Sequence, residues 1–157
     1  MLSAYELVEQ LPSGSARAAA WAAYALTTYA DKLLAADGTS DVVAESYARA
    51  AACLEVARGG GGALPTAPPH WRTPVRSTEQ LVGMRDALDA LRTYLAYELH
   101  DEHAPELEPI DVQIATVERL WIRRPPSEIR GAIGSALAIG LDRAYALGLS
   151  CCATSQR

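Results

Sequence analysis

Residues 127–147 read SEIRGAIGSALAIGLDRAYAL. Pro125 and Pro126 stop whatever precedes them. Ser127 can cap a helix there, and Glu128 favours the positive end of its dipole. At about 100° per residue, Ile129, Ile133, Ala136, Leu137, Gly140, Ala144 and Leu147 share one face. The opposite face carries Gly131, Gly134, Ser135, Ala138, Asp142 and Tyr145. It is small rather than charged, whereas a surface helix would place several Lys, Arg or Glu side chains there. Gly131, Gly134 and Gly140 each cost about 1 kcal/mol relative to Ala inside a helix, so close packing must offset them. Two readings remain open. Either this is a central bundle helix touched on two sides by its own chain, or its small face is a seam for a second subunit or a ligand.

The rest of the chain repeats the helical period. Ser3 to Leu11 predicts a short helix with Leu7, Val8 and Leu11 on one side, ended by Pro12-Ser13-Gly14. From Ala16 to Ala36, the positions Ala19, Ala22, Leu26, Tyr29, Leu33 and Ala36 alternate steps of three and four, which is a bundle seam. Asp37-Gly38-Thr39-Ser40 is a tight turn, with Gly38 suited to ending one helix and Ser40 to capping the next. A helix over 41–58 follows on Val43, Tyr47, Ala50, Leu54 and Ala57, giving an antiparallel hairpin with its predecessor. Ser77 with Gln80 is a capping box opening a helix to Leu99, and Arg85 and Asp89 can pair on its outer face. A shorter helix over 110–123 stands on Ile114, Val117 and Trp121. No stretch alternates as a strand would. The expected fold is therefore an all-α, single-domain helical bundle of about five main helices over residues 1–148, with a flexible tail over 149–157.

Residues 59–76 form one long Gly/Pro-rich loop. Its four glycines are not a phosphate loop, since no Gly-Lys-Ser/Thr follows them. The prolines stiffen its second half, where Trp71 is the natural anchor. The expectation is a mobile Gly59–Gly62 segment and a Trp71 docked beside the third long helix, or closing a pocket there.

The net charge of −5 argues against nucleic acid as a partner. The sign is uneven: 8 basic and 16 acidic residues lie in 1–111, and 6 and 3 in 112–157, so the two parts should attract. Cys53, Cys151 and Cys152 are an odd number with two adjacent, which implies no disulfide framework and a reducing, cytoplasmic setting. No basic n-region precedes an apolar core at the N-terminus. The longest strongly apolar run, 131–141, is far short of the roughly 20 residues that span a bilayer, so no membrane is expected.

Chemistry-bearing residues concentrate after the third long helix, at Glu98, His100, Asp101, Glu102, His103, Glu106, Glu108 and Asp111. Acids there meet the negative pole of the helix dipole, so either the chain leaves the helix early or cations compensate, Arg123, Arg124 and Arg130 or a metal being the candidates. His100, Asp101, Glu102 and His103 are the candidate catalytic groups. Metal-ligand spacings fail: Glu98 is followed at +3 by Asp101 and Glu102 by Pro105, and no His-Glu-x-x-His occurs. No metal and no cofactor are expected. His100-Asp101 resembles the doublet of the HD-type phosphohydrolases, which would imply an upstream His and a downstream Asp, here at best His70 and Asp142. The 77–99 helix spans roughly 33 Å, while the seven residues before it reach at most about 25 Å, so His70 approaches His100 only by doubling back. Candidate ligand-binding residues are His70, Trp71 and Arg72 in the loop, Arg123 and Arg124 before a helix N-terminus that favours anions, and Tyr145. The leading expectation is a non-catalytic binding or assembly module, homodimeric through the 127–147 helix. The alternative is a small enzyme or hydrophobic small-molecule binder with a pocket between helices under the His70/Trp71 loop.

Overall fold

Ser3 opens the first helix, α1 (Ala4–Gln10): its Oγ accepts from the Glu6 N–H at 3.2 Å, and Glu6 Oε1 accepts from the Ser3 N–H at 2.9 Å. Two otherwise orphaned donors are satisfied reciprocally. The computed structural model describes residues 2–38, 40–59, 77–123 and 126–153, and among these every regular element is helical. After α1 come α2 (Ser15–Asp37), α3 (Asp41–Gly59), α4 (Thr78–Leu99), a 3-10 turn (Pro105–Leu107), α5 (Glu108–Arg123) and α6 (Pro126–Ala153). The all-α bundle read from the sequence is the observed fold, with one short helix beyond the main five.

The hairpin of α2 and α3 is the most extensive helix contact. Gly38 ends α2 at φ 86°, a conformation that costs a side chain strain, and its N–H donates to Leu34 O at 2.9 Å. Ser40 Oγ then accepts from the Val43 N–H at 3.2 Å and starts α3. Ser77 caps α4 in the same way through the Gln80 N–H. Arg85 turns away from the Asp89 expected to pair with it: its guanidinium sits 5.8 Å above the Trp121 ring and contacts Asp86 at 3.5 Å.

The helix at the centre is α2, not α6. It packs against α1, α3, α4 and α6. Ala18 to Ala23 are buried without interruption, so α2 is enclosed on all sides along this stretch. Alanines allow this, because a methyl group lets a neighbouring backbone approach from any direction. Gly83 of α4 extends the effect: a Cβ there would lie 2.9 Å from Lys32 O and 3.0 Å from Leu33 Cα of α2.

Helix α6 packs on α2, α4 and α5. Its apolar face is buried as expected at Ile129, Ile133, Ala136, Leu137, Gly140 and Ala144. The small face divides. Gly134 and Tyr145 turn into the core, Ala138 and Asp142 are half-buried, and Gly131 and Ser135 are exposed. The outer stripe runs instead through Glu128, Ala132, Ser135, Ile139, Arg143 and Ala146. Residues 149–153, expected as the start of a flexible tail, continue α6 to Ala153, and residues 154–157 lie outside the described residues. Cys152 is 1% exposed, and its carbonyl accepts the Gly14 N–H at 2.9 Å. The stretch Glu128–Ala153 is by length and composition able to cross a membrane, which the 131–141 run alone is not; 44% of an 18-residue apolar window within it is buried inside the fold.

Candidate functional site

Helix α4 ends at His100, which adopts the left-handed conformation (φ 59°, ψ 30°), the only positive φ outside glycine among the described residues. The His100 N–H reaches back to Tyr97 O and the Asp101 N–H to Ala96 O, both at 3.1 Å, which closes the last turn. Asp101 Oδ1 accepts from the His103 N–H at 2.9 Å, so this carboxylate shapes the turn that follows. His100, Asp101, Glu102 and His103 are all exposed. They rim an open depression of about 650 Å³ whose other walls include Arg92, Thr93 and Tyr97. Tyr97 is 58% exposed, with its ring 6.5 Å from that of His100.

Two of these acids, Glu98 and Asp111, are compensated by arginines that the sequence had not singled out. Arg92, two turns back on α4, places Nε 2.9 Å from Asp111 Oδ1 and Nη2 3.2 Å from Oδ2, and it also donates to Glu102 O at 2.9 Å. This fork ties the start of α5 to α4. Glu98 is held by Arg17 of α2, whose Nη2 lies 2.8 Å and 2.6 Å from its two carboxylate oxygens. The pair is largely shielded from solvent, with the side chains 20% and 10% exposed. Arg17 Nη1 donates to Leu11 O at 2.8 Å, so one guanidinium joins α2 to the end of α1 and the end of α4. The Tyr94 hydroxyl donates to Glu98 at 3.2 Å. Burial first, then Glu98 and Glu9, push the Tyr94 hydroxyl far above the ordinary tyrosine range. Its ring stacks on Trp21 at 5.4 Å, and Tyr5 and Tyr24 close the cluster at 5.1 Å and 4.9 Å from it.

No nucleophile is poised at this end of the bundle among the described residues. The Thr93 hydroxyl donates to Asp89 O within its own helix. Burial, with a smaller push from Glu98, raises the Cys152 thiol to about 12, against the opposing pull of Arg17. Burial likewise raises Cys53, with Arg49 opposing. Both are protonated at neutral pH, the opposite of an activated thiolate. Among the described residues, no three His, Cys, Asp or Glu side chains converge in a set that could hold a metal ion.

The other sequence candidates scatter. Arg123 is exposed at the end of α5. Tyr145 is buried in the core and offers no surface to a ligand; its carbonyl accepts from Trp21 Nε1 at 3.3 Å. His70, Trp71, Arg72 and Arg124 lie outside the described residues, as do positions 60–76 of the expected loop, whose first residue, Gly59, instead ends α3. Arg17, Arg92 and Tyr94, which organise this end of the bundle, were not among the candidates. One faint sign existed for Arg17: it is the one basic residue in the first half of an Ala-rich helix. No protein-family model, no curated protein and no solved structure matches this chain.

Proposed function

We propose that the chain is a non-catalytic helical assembly module that works as a homodimer through the outer face of α6. The observation that carries this is the exposed stripe along α6. Gly131, Ala132, Ser135, Ile139 and Ala146 face outward, with Arg143 the one fully exposed charge between Glu128 and Ser150, Arg130 and Asp142 being half-buried. Ile139 is 46% exposed at its middle. The outer side of α5 adds Val112 at 52% and Ile122 at 84%. A helix face so poor in charge gains by being covered. The chemistry at the end of α4 supports the same reading. Its histidines stand in water, and the carboxylates Glu98 and Asp111 are spent holding helices together. None of Cys53, Cys151 and Cys152 is in a disulfide, which fits a reducing cytoplasm.

Size-exclusion chromatography with light scattering tests the proposal. Wild type should shift towards a dimer as concentration rises through tens of micromolar, the range expected of a small interface, and Ser135→Arg should abolish the shift. Ala138 is a poorer probe, being half-buried. The second reading, a small-molecule site, is favoured by Tyr97, an exposed ring on the wall of the depression beside His100. It predicts compounds that raise the melting temperature of wild type but not of Tyr97→Ala; equal shifts in both would exclude this site.

A further inference from the structure

The outer face of α6 is self-complementary in one arrangement. We propose that two copies of α6 pair antiparallel about a twofold axis beside Ser135, with Glu128 of each copy opposite Arg143 of the other. This rests on the self-association proposed above and specifies its geometry.

The exposed positions Glu128, Ala132, Ser135, Ile139 and Arg143 succeed one another by three or four residues, so they form a single stripe. In an antiparallel pair, each step forward on one helix is a step back on the other. The register that sets Glu128 opposite Arg143 therefore also sets Ala132 opposite Ile139 and brings Ser135 to the axis, next to its own copy. Each of these five positions is then matched. The carboxylate meets a guanidinium twice. The one large aliphatic side chain meets Ala132, beside Gly131, where even an added Cβ would find nothing within 4 Å. The small Ser135 lies where the two backbones come nearest. Small residues at such a point permit close approach.

Other arrangements lose these matches. A parallel, in-register pair sets Glu128 against Glu128 and Arg143 against Arg143. Sliding the antiparallel register by one turn sets Glu128 against Ile139 or Leu147 and leaves Arg143 unmatched. Such mismatches select one register over its neighbours. Both charges are available, since neither Glu128 nor Arg143 forms an ion pair among the described residues. An isologous contact of this kind closes at two copies. The stripe is small: about 23 Å of helix and roughly 10 Å of width fall well short of the roughly 800 Å² per partner of a standard interface. Even with the flank of α5, the dimer is a weak, reversible one.

The test uses Glu128→Arg and Arg143→Glu, purified separately. Each alone sets like charges together twice, and its dimerisation should weaken roughly ten- to hundred-fold, the combined scale of two exposed pairs reversed. Mixed in equal amounts, the two variants should recover association as a one-to-one heterodimer, because each new arginine meets a new glutamate. Ser135→Cys should form a disulfide-linked dimer under mild oxidation, well beyond the level of wild type treated identically. Ala146→Cys, far from its own copy in this register, should not. Dimerisation indifferent to both charge reversals, a mixture that fails to recover, or faster linkage at 146 than at 135 would overturn the register and leave self-association standing. A wild type that stays monomeric would overturn both, and so would one that is monomeric yet sediments with phosphatidylcholine vesicles, since the face would then belong to lipid.

Discussion

Gly148 of α6 lies against the indole of Trp21, and replacing it with alanine probes how α2 and α6 lock together. A Cβ at this position would fall 1.7 Å from Trp21 Cε2 and Nε1, where ordinary contact begins at 3.4 Å. The indole would have to retreat by about 2 Å, yet Trp21 is fully buried. Overpacking of this kind costs about 1–3 kcal/mol. The retreat also breaks the Trp21 Nε1 bond to Tyr145 O, worth about 1 kcal/mol, and disturbs the stack on Tyr94, worth roughly 0.5–1.5 kcal/mol. Helix propensity opposes these terms by about 1 kcal/mol in favour of alanine. The net expectation is a loss of about 2–4 kcal/mol, or a fall of roughly 5–15 °C in melting temperature for a chain of this size. Gly131→Ala is the control, because a Cβ there meets nothing within 4 Å. It should stabilise by up to about 1 kcal/mol from propensity alone. Urea unfolding at low micromolar concentration, followed by far-UV circular dichroism and tryptophan fluorescence, measures both. A Gly148→Ala variant as stable as wild type would refute the packing of Trp21 on α6.

Three further outcomes are expected. Arg17→Met should cost about 2–4 kcal/mol, because it takes the guanidinium away from the shielded Glu98 carboxylate and frees the end of α1; urea midpoints of Arg17→Met and the double variant Arg17→Met/Glu98→Leu check this, and the double variant should recover part of the loss. Stability should fall steeply in alkali: burial raises Tyr29, Tyr94 and Tyr145 above their ordinary 10.0 and Cys152 above 9.0, so their contribution is complete below those values and is lost as pH rises past them. Phenolate absorbance of these tyrosines should therefore appear together with the loss of helical signal, and ionisation of all seven tyrosines in a still-folded chain would contradict it. His100→Gly should raise stability by about 0.5–1 kcal/mol by relieving the left-handed backbone at the end of α4, as a thermal melt would show; a loss instead would mean that the imidazole has a structural contact of its own.

The helices were legible because their signals are local. Gly38 and Ser40 punctuate the first hairpin, Ser77 and Gln80 open α4, and steps of three and four along Leu26, Tyr29 and Leu33 or Leu81, Met84 and Leu88 mark the faces that are in fact buried. What could not be read depends on contrast or on distance. In α2, alanine occupies nearly every side of the helix, so periodicity gives no sign that it is enclosed all round. In α6, glycine, alanine and serine surround the helix so evenly that the inward turn of Gly134 and Tyr145 leaves no mark in the pattern. The polar end of the bundle is harder still, since Arg17 and Glu98 are 81 residues apart and meet only because α2 and α4 are packed side by side. The need for a cation beside the acids was legible from the helix dipole; which arginine answers it was a matter of tertiary packing.

The proposal is that two copies of this chain pair through α6. Sedimentation equilibrium of wild type beside Ile139→Arg tests it most directly, over concentrations from about 5 to 500 μM that bracket a weak interface. The expected result is a wild-type mass that rises from 16.8 kDa towards twice that value, with Ile139→Arg fixed at the monomer and unchanged in helical content. Wild type holding at 16.8 kDa across the whole range, or Ile139→Arg dimerising as well as wild type, would contradict it.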